Sequence, residues 1–212
     1  MNEYVCGGIS GICQTLVGHP FDTYKVIYQT NNSFKMNINT IFAGIKYPLV
    51  SSAFICSIQF GIYEYYIREK YNNFSSGFLS GLISSPLAYV WDIGKIKEQT
   101  KQKVDYKNLL KQKGMIMTTS RDSIALGIYF ASYEKAKELN FNPFWAGAIA
   151  GVSNWTITYP LDVIRTRQIA NNKSLIEAIR EKKFWKGYRS CMYRAFVVNS
   201  VGLSVYDYLK SL

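Results

Sequence analysis

The sequence holds one histidine, His19, in 212 residues. A multi-histidine metal site is therefore excluded, and no nucleophile–base arrangement stands in for one. The chain does not read as an enzyme, and neither a metal nor a cofactor is expected. The four cysteines, Cys6, Cys13, Cys56 and Cys191, lack C-x-x-C spacing and read as free apolar fillers. The first residues lack a basic n-region, so no cleavable signal peptide is expected. Acid is scarce: 14 Asp and Glu stand against 25 Lys and Arg, leaving a formal charge of +11. Charge of either sign is missing from four long runs, 4–21, 47–63, 71–91 and 141–161, if His19 is taken as neutral.

Those runs approach the roughly 20 mostly apolar residues that a transmembrane helix needs. Two further stretches, 115–133 and 188–206, are similar but carry Arg121, Asp122, Arg189 and Arg194. Six spans are expected, at about 4–30, 46–69, 74–100, 115–138, 143–170 and 188–210. Residues 31–43 read as a polar connection, and 175–179 as a short amphipathic piece. A basic soluble protein is a candidate for nucleic-acid binding. Here the bases gather between apolar runs, at 95–113 and 165–189, as in a membrane protein with basic loops on one face. Nucleic acid is therefore not an expected partner; solvation and anionic lipid headgroups are.

An internal repeat organises these spans. Pro20-Phe21-Asp22-Thr23-Tyr24-Lys25 returns as Pro160-Leu161-Asp162-Val163-Ile164-Arg165. A worn copy, Val90-Trp91-Asp92-Ile93-Gly94-Lys95, lies between them. The acids at 22, 92 and 162 and the bases at 25, 95 and 165 step by 70 residues. So do Gly7, Gly77 and Gly147, and Gly11, Gly81 and Gly151, which form small-xxx-small faces suited to close helix approach. Gly44, Gly114 and Gly187 each precede an apolar stretch that ends in Tyr plus acid: Tyr63-Glu64, Tyr133-Glu134, Tyr206-Asp207. The expected organisation is a single domain, 1–212, of three two-helix units: 1–70, 71–140 and 141–212. Within each unit, Asp and base three apart share a helix face. Pro20 should kink its helix by removing a backbone donor.

The pattern Pro-x-Asp-x-x-Lys/Arg in tandem copies on alternate helices resembles the mitochondrial carrier family, and the match runs over nearly the whole chain. The motif Tyr133-Glu134-Lys135-Ala136-Lys137 and its partner Tyr206-Asp207-Tyr208-Leu209-Lys210 are similar to the family's second signature. Val17-Gly18-His19-Pro20, Asn154-Trp155, Met192-Tyr193-Arg194 and above all Arg121-Asp122 resemble the carnitine/acylcarnitine and basic amino-acid carriers. The resemblance implies an all-α membrane protein with six transmembrane helices around a threefold pseudo-axis, in the mitochondrial inner membrane. It implies substrate contacts at Ser51, Arg121 and Arg194, seven residues after each glycine, with Ser52 and Asp122 beside them. It also implies a matrix-side gate of Asp22, Lys25, Gln29, Asp92, Lys95, Gln99, Asp162 and Arg165. Tyr63, Glu64, Tyr133, Glu134, Lys137, Tyr206, Asp207 and Lys210 would close the cytoplasmic side. The expected function is alternating-access exchange of a zwitterionic or cationic amino-acid-like metabolite, carnitine or a basic amino acid, by a monomer in a bilayer containing anionic lipid such as cardiolipin. The alternatives are a nucleotide or S-adenosylmethionine carrier, or a transport-inactive protein of the same fold. The resemblance departs at Val90, where the family motif has proline, and at Ile169, where it has glutamine.

Overall fold

The computed structural model describes residues 3–30, 37–103 and 113–211. Gly7, Gly11 and the side chains of Ser52, Tyr206, Asp207 and Lys210 lie outside the described residues. The described chain is helical: α1 (Glu3–Gln29), α2 (Ile38–Ile41), α3 (Lys46–Arg68), α4 (Asn73–Gln99), α5 (Met115–Glu138), α6 (Pro143–Asn171), α7 (Leu175–Arg180) and α8 (Tyr188–Ser211). The six long helices begin and end within about two residues of the six stretches read from uncharged length. The four-residue α2 falls in the stretch read as a polar connection. It is too short for a periodic signal and is started by Asn37, whose side chain accepts from the Thr40 N–H. Pro20, Pro86 and Pro160 each lie inside a continuous helix.

The turns recur with the sequence period. Gly44, Gly114 and Gly187 have φ of +78°, +113° and +87° and introduce α3, α5 and α8; only glycine adopts this left-handed backbone without strain. After α3 and α5 the chain turns at Lys70 (φ 64°) and Asn140 (φ 62°), then starts the next helix on Asn72 and Asn142. Those side chains accept from the N–H groups of Ser75 and Trp145. A third device holds each glycine turn to the helix before it. His19 Nε2 lies 2.8 Å from the Ala43 carbonyl; the Tyr89 hydroxyl donates to the Lys113 carbonyl and the Tyr159 hydroxyl to the Lys186 carbonyl. Positions 19, 89 and 159 step by the same 70 residues.

Helix α4 packs between α3 and α5, α5 also packs on α6, and α1 packs on α8. Gly77 and Gly81 allow the α4–α5 approach. A Cβ built on Gly77 would lie 2.5 Å from the Leu126 carbonyl oxygen, and one on Gly81 2.5 Å from that of Asp122. The third glycine pair does not follow suit: a Cβ on Gly147 or Gly151 meets nothing within 4 Å. The expected close approach therefore holds at α4, while at α6 no neighbour among the described residues is seated against the glycine face.

The buried apolar residues gather where α1, α4 and α6 end. Val26, Tyr89, Ile93, Ile96, Ile169 and Ala170 form one cluster; Tyr159, Val163 and Cys191 form another. Much of the remaining interior is polar: Ser76, Ser80, Ser84, Ser85, Thr118, Ser123 and Thr158 are buried, whereas Ile12, Phe54, Ile83, Val152 and Ile157 are exposed. Arg167 is fully buried beneath the loop after α7. It donates to the carbonyls of Ala178 and Lys182 and pairs with Glu181 at 3.2 Å. Helix α7 carries a capping box between Ser174 and Glu177, whose hydrogen bonds from Ser174 hold the Glu177 carboxyl below its ordinary range.

Among the described residues no single helix is long and apolar enough to cross a membrane; the bent pair Ile38–Ser51 and Phe54–Arg68, which meet at 43°, is so by length and composition. Four of the six runs lack charge, but their serines, threonines, glycines and tyrosines lower the average. Uncharged length alone overstated their apolarity.

Candidate functional site

The three repeated motifs meet where α1, α4 and α6 converge. On each helix the acid and base are three residues apart and so point to one side. Each acid finds a base on another helix, and Asp162 also meets Arg165 of its own helix at 3.3 Å. Asp22 of α1 binds Lys95 of α4 at 2.8 Å, Asp92 of α4 binds Arg165 of α6, and Asp162 of α6 binds Lys25 of α1 at 2.6 Å. The three ion pairs form a closed cycle in which each helix gives one acid and takes one base. Gln29 and Gln99 sit beside the cycle. The Gln29 amide donates to the Tyr159 hydroxyl at 3.1 Å, and Gln99 to the Thr23 hydroxyl at 3.0 Å.

Two arginines from other helices lean onto this ring. Arg194 of α8 reaches Asp22 at 2.7 Å, on the carboxylate oxygen that Lys95 leaves free. Arg121 of α5 pairs with its neighbour Asp122 and approaches Asp162 at 3.6 Å. Two cations lie over the indole of Trp155 of α6: the Lys25 ammonium at 4.5 Å and the Arg121 guanidinium at 5.2 Å. These groups line a cavity of about 190 Å³. Its charged walls are Asp22, Asp92 and Asp162 against Lys25, Lys95, Arg121, Arg165 and Arg194, an excess of two positive charges.

Ser51 and Asp122, expected at this cavity, are buried and do not line it. Ser51 is one turn beyond Tyr47, and the Tyr47 ring rests on Gly94 of α4, where a Cβ would overlap it. Residues four apart share a face, so Ser51 is turned toward α4. Asp122 belongs to the stretch of α5 that presses on Gly81 of α4. It meets the site only through Arg121, whose charge it balances.

Among the described residues expected at the opposite end no second ring is seen; Tyr206, Asp207 and Lys210 are not among those whose side chains are described. Lys137 pairs with Glu134 of its own helix at 3.2 Å, and the Tyr63 hydroxyl donates to Asn73 Oδ1 at 3.1 Å. Among the described residues no ion pair joins two helices there. Instead Phe60, Tyr63, Glu64, Tyr129, Phe130, Tyr133, Glu134 and Lys137 border a cavity of about 470 Å³ between α3, α5 and α6.

Sequence reasoning did not anticipate the Arg194–Asp22 pair, the shared indole of Trp155 or the clamps at 19, 89 and 159. The last had a signal, a ring side chain at the motif's period. The Arg194 berth depends on Gly18, whose added Cβ would lie 2.8 Å from Val198 Cγ2 and 3.3 Å from Arg194 Nε. Gly18→Ala is expected to lower stability by roughly 1–3 kcal/mol through overpacking. Thermal melts of the purified protein should show this penalty shrinking in a Val198→Ala background, which removes the nearest atom. An equal penalty in both backgrounds would show that the contact is not its cause.

Residues 140–212 match the family model described as mitochondrial carrier protein. Nearly the whole chain aligns with curated proteins. It is 25% identical to the mitochondrial arginine transporter BAC2 of Arabidopsis thaliana, over 97% of this chain and 89% of that protein. It is 24% identical to the mitochondrial basic amino acids transporter of Rattus norvegicus, covering 93% of this chain and 85% of the other. It is also 24% identical to the mitochondrial carnitine carrier of Saccharomyces cerevisiae, covering 94% and 84%.

Proposed function

We propose that this chain is a mitochondrial carrier, a membrane solute carrier that exchanges a zwitterionic or cationic amino-acid-like metabolite, carnitine or a basic amino acid, across the mitochondrial inner membrane. The observation that carries this reading is the closed ring of three interhelical ion pairs lying under a cavity walled by Arg121, Arg194 and Trp155. The ring is the matrix-side gate in its shut state. The opposite mouth, with no ion pair between helices among the described residues, is the open side.

The chemistry of the cavity suits such a substrate. An excess of two positive charges attracts a carboxylate, and the planar fork of Arg194 can hold one bidentately. The Trp155 face suits the substrate's cationic centre once Lys25 and Arg121 withdraw. Asp122 keeps Arg121 paired and does not touch the substrate. Binding couples to the gate because Arg194 is shared: a substrate carboxylate that captures it takes one of the two cations from Asp22. A ligand shifts a conformational equilibrium only by its differential affinity, and this competition supplies one.

Six long helices, paired within three units about a threefold pseudo-axis, span the bilayer in this reading. At 1.5 Å per residue, helices of 23 to 29 residues are longer than the roughly 30 Å hydrocarbon core. Exposed Ile, Phe, Val and Leu face lipid, and the buried serines and threonines explain why no helix is apolar all round. The site is built from one chain, in keeping with a monomer.

Uptake into liposomes holding the purified protein tests the proposal, with carnitine, lysine, arginine, S-adenosylmethionine and nucleotides as the panel. Carnitine or a basic amino acid should exchange, and Arg194→Ala should slow that exchange by roughly 10- to 100-fold, the worth of a charge-assisted hydrogen bond. Exchange of nucleotides alone would overturn the substrate assignment. No exchange of any solute by protein that retains its melting transition would favour a transport-inactive member of the fold.

A further inference from the structure

The second cavity has a chemistry of its own. Its hub is Phe130, which is buried on α5. Tyr63 of α3 stacks on it with ring centroids 3.7 Å apart, Phe60 meets it edge-on at 5.4 Å, and Tyr129 edge-on at 5.5 Å. Tyr133 continues the array, stacked on Tyr129 at 6.4 Å. The far wall is α6 at Gly147, where no atom comes within 4 Å of an added Cβ. Since α4 lies between α3 and α5, and α6 lies beyond α5, a space touching α3, α5 and α6 opens on the inner side of that row of helices.

Charge then selects the ligand. Glu64 and Glu134 border the cavity with Lys137. Lys137 is paired with Glu134, whereas Glu64 makes no ion pair among the described residues. Among the described residues one negative charge therefore remains beside the aromatic walls. Those walls already accept a cation: the Lys137 ammonium lies over the Tyr133 ring, 5.3 Å from its centroid. Aromatic faces with a nearby carboxylate attract organic cations through the ring quadrupole. A hard cation such as Ca2+ or Mg2+ would need about six oxygen ligands, and no group of three or more His, Cys, Asp or Glu that could hold a metal lies among the described residues; an anion would meet Glu64.

We propose that the cavity between α3, α5 and α6 is a binding site for an organic monocation of the quaternary ammonium or guanidinium class, separate from the cavity at the ion-pair ring. The site is distinct from the transport reading and does not require it. A permeant cation passing inward and a cation that only binds would both use it.

Tetramethylammonium is the probe, observed by saturation-transfer NMR on the purified full chain in detergent. The unmodified protein should give a transfer signal, and Arg194→Ala, in the other cavity, should leave it intact. Glu64→Gln combined with Tyr133→Leu should weaken binding by roughly fivefold or more, whereas Tyr133→Phe, which keeps the ring, should retain it. Tyr133→Phe also guards against a fold defect, since it leaves the aromatic array whole. No signal from the unmodified protein, survival of the signal in the double variant, or its loss in Arg194→Ala would each overturn the proposal. Liposome uptake separates the two readings. Uptake without tetramethylammonium binding sinks this site alone, and binding without uptake sinks the transport assignment alone. If tetramethylammonium itself crosses the liposome membrane through the protein, the site lies on the permeation path; if it binds and does not cross, the site holds a ligand that stays at the mouth.

Discussion

Asp162→Asn is expected to be the most damaging single change at the ion-pair ring, lowering the midpoint of thermal unfolding by on the order of 10 °C. Three cations converge on this carboxylate: Lys25 at 2.6 Å, Arg165 at 3.3 Å and Arg121 at 3.6 Å. Its side chain is only 4% exposed. Removing the negative charge leaves Lys25 buried with no ion-pair partner among the described residues and takes one of two partners from Arg165 and from Arg121, a loss of about 3–5 kcal/mol. For a chain of this size each kcal/mol moves the midpoint by roughly 2–4 °C. Asp92 offers the internal control. It pairs with Arg165 alone among the described residues, and its side chain is 31% exposed. Water can replace part of what Asp92→Asn removes, so its midpoint should fall by less than half as much. Asp22, holding Lys95 and Arg194 at 19% exposure, should lie between them. Melts of the three purified variants decide the matter, and equal shifts would show that the motif acids act independently of the second-tier arginines.

The long helices were legible because uncharged length, glycine position and the 70-residue step agreed, and because the turn glycines must take positive φ. Contacts across helices were much less so. A spacing of three on one helix says that Asp22 and Lys25 share a face; it does not say that Asp22 reaches Lys95 and leaves Lys25 to Asp162. Nor does equal spacing after a glycine make three residues equivalent in space. Arg121 and Arg194 line the inner cavity, while Ser51 is turned away because Tyr47, on the same face, is seated on Gly94. That contact joins an aromatic at the start of α3 to a glycine inside the worn motif, and neither position announces the other. The apolarity of each run was overread from lack of charge, since buried hydroxyls dilute apolarity without adding charge.

Gly81→Ala and Gly151→Ala occupy the same register of the repeat, and opposite outcomes are expected. At Gly81 the new methyl would lie 2.5 Å from the Asp122 carbonyl oxygen and 2.6 Å from the Ser123 Cα. Both are backbone atoms, which cannot swing aside as a side-chain tip does. Helices α4 and α5 must separate by most of an ångström, and overpacking of this kind costs roughly 1–3 kcal/mol, occasionally more. Separation would also shift Arg121, which neighbours Asp122 and reaches the ring at Asp162. At Gly151 the methyl meets no described atom within 4 Å, and alanine is the better helix former by about 0.8–1 kcal/mol. Gly151→Ala should therefore raise the thermal midpoint slightly or leave it unchanged, while Gly81→Ala should lower it by roughly 5 °C or more. Only the difference in packing separates the two sites, because the helix-propensity gain is common to both. If Gly151→Ala proved as destabilising as Gly81→Ala, α6 would have to be packed against a neighbour at its glycines, and the cavity beside Gly147 would not be open.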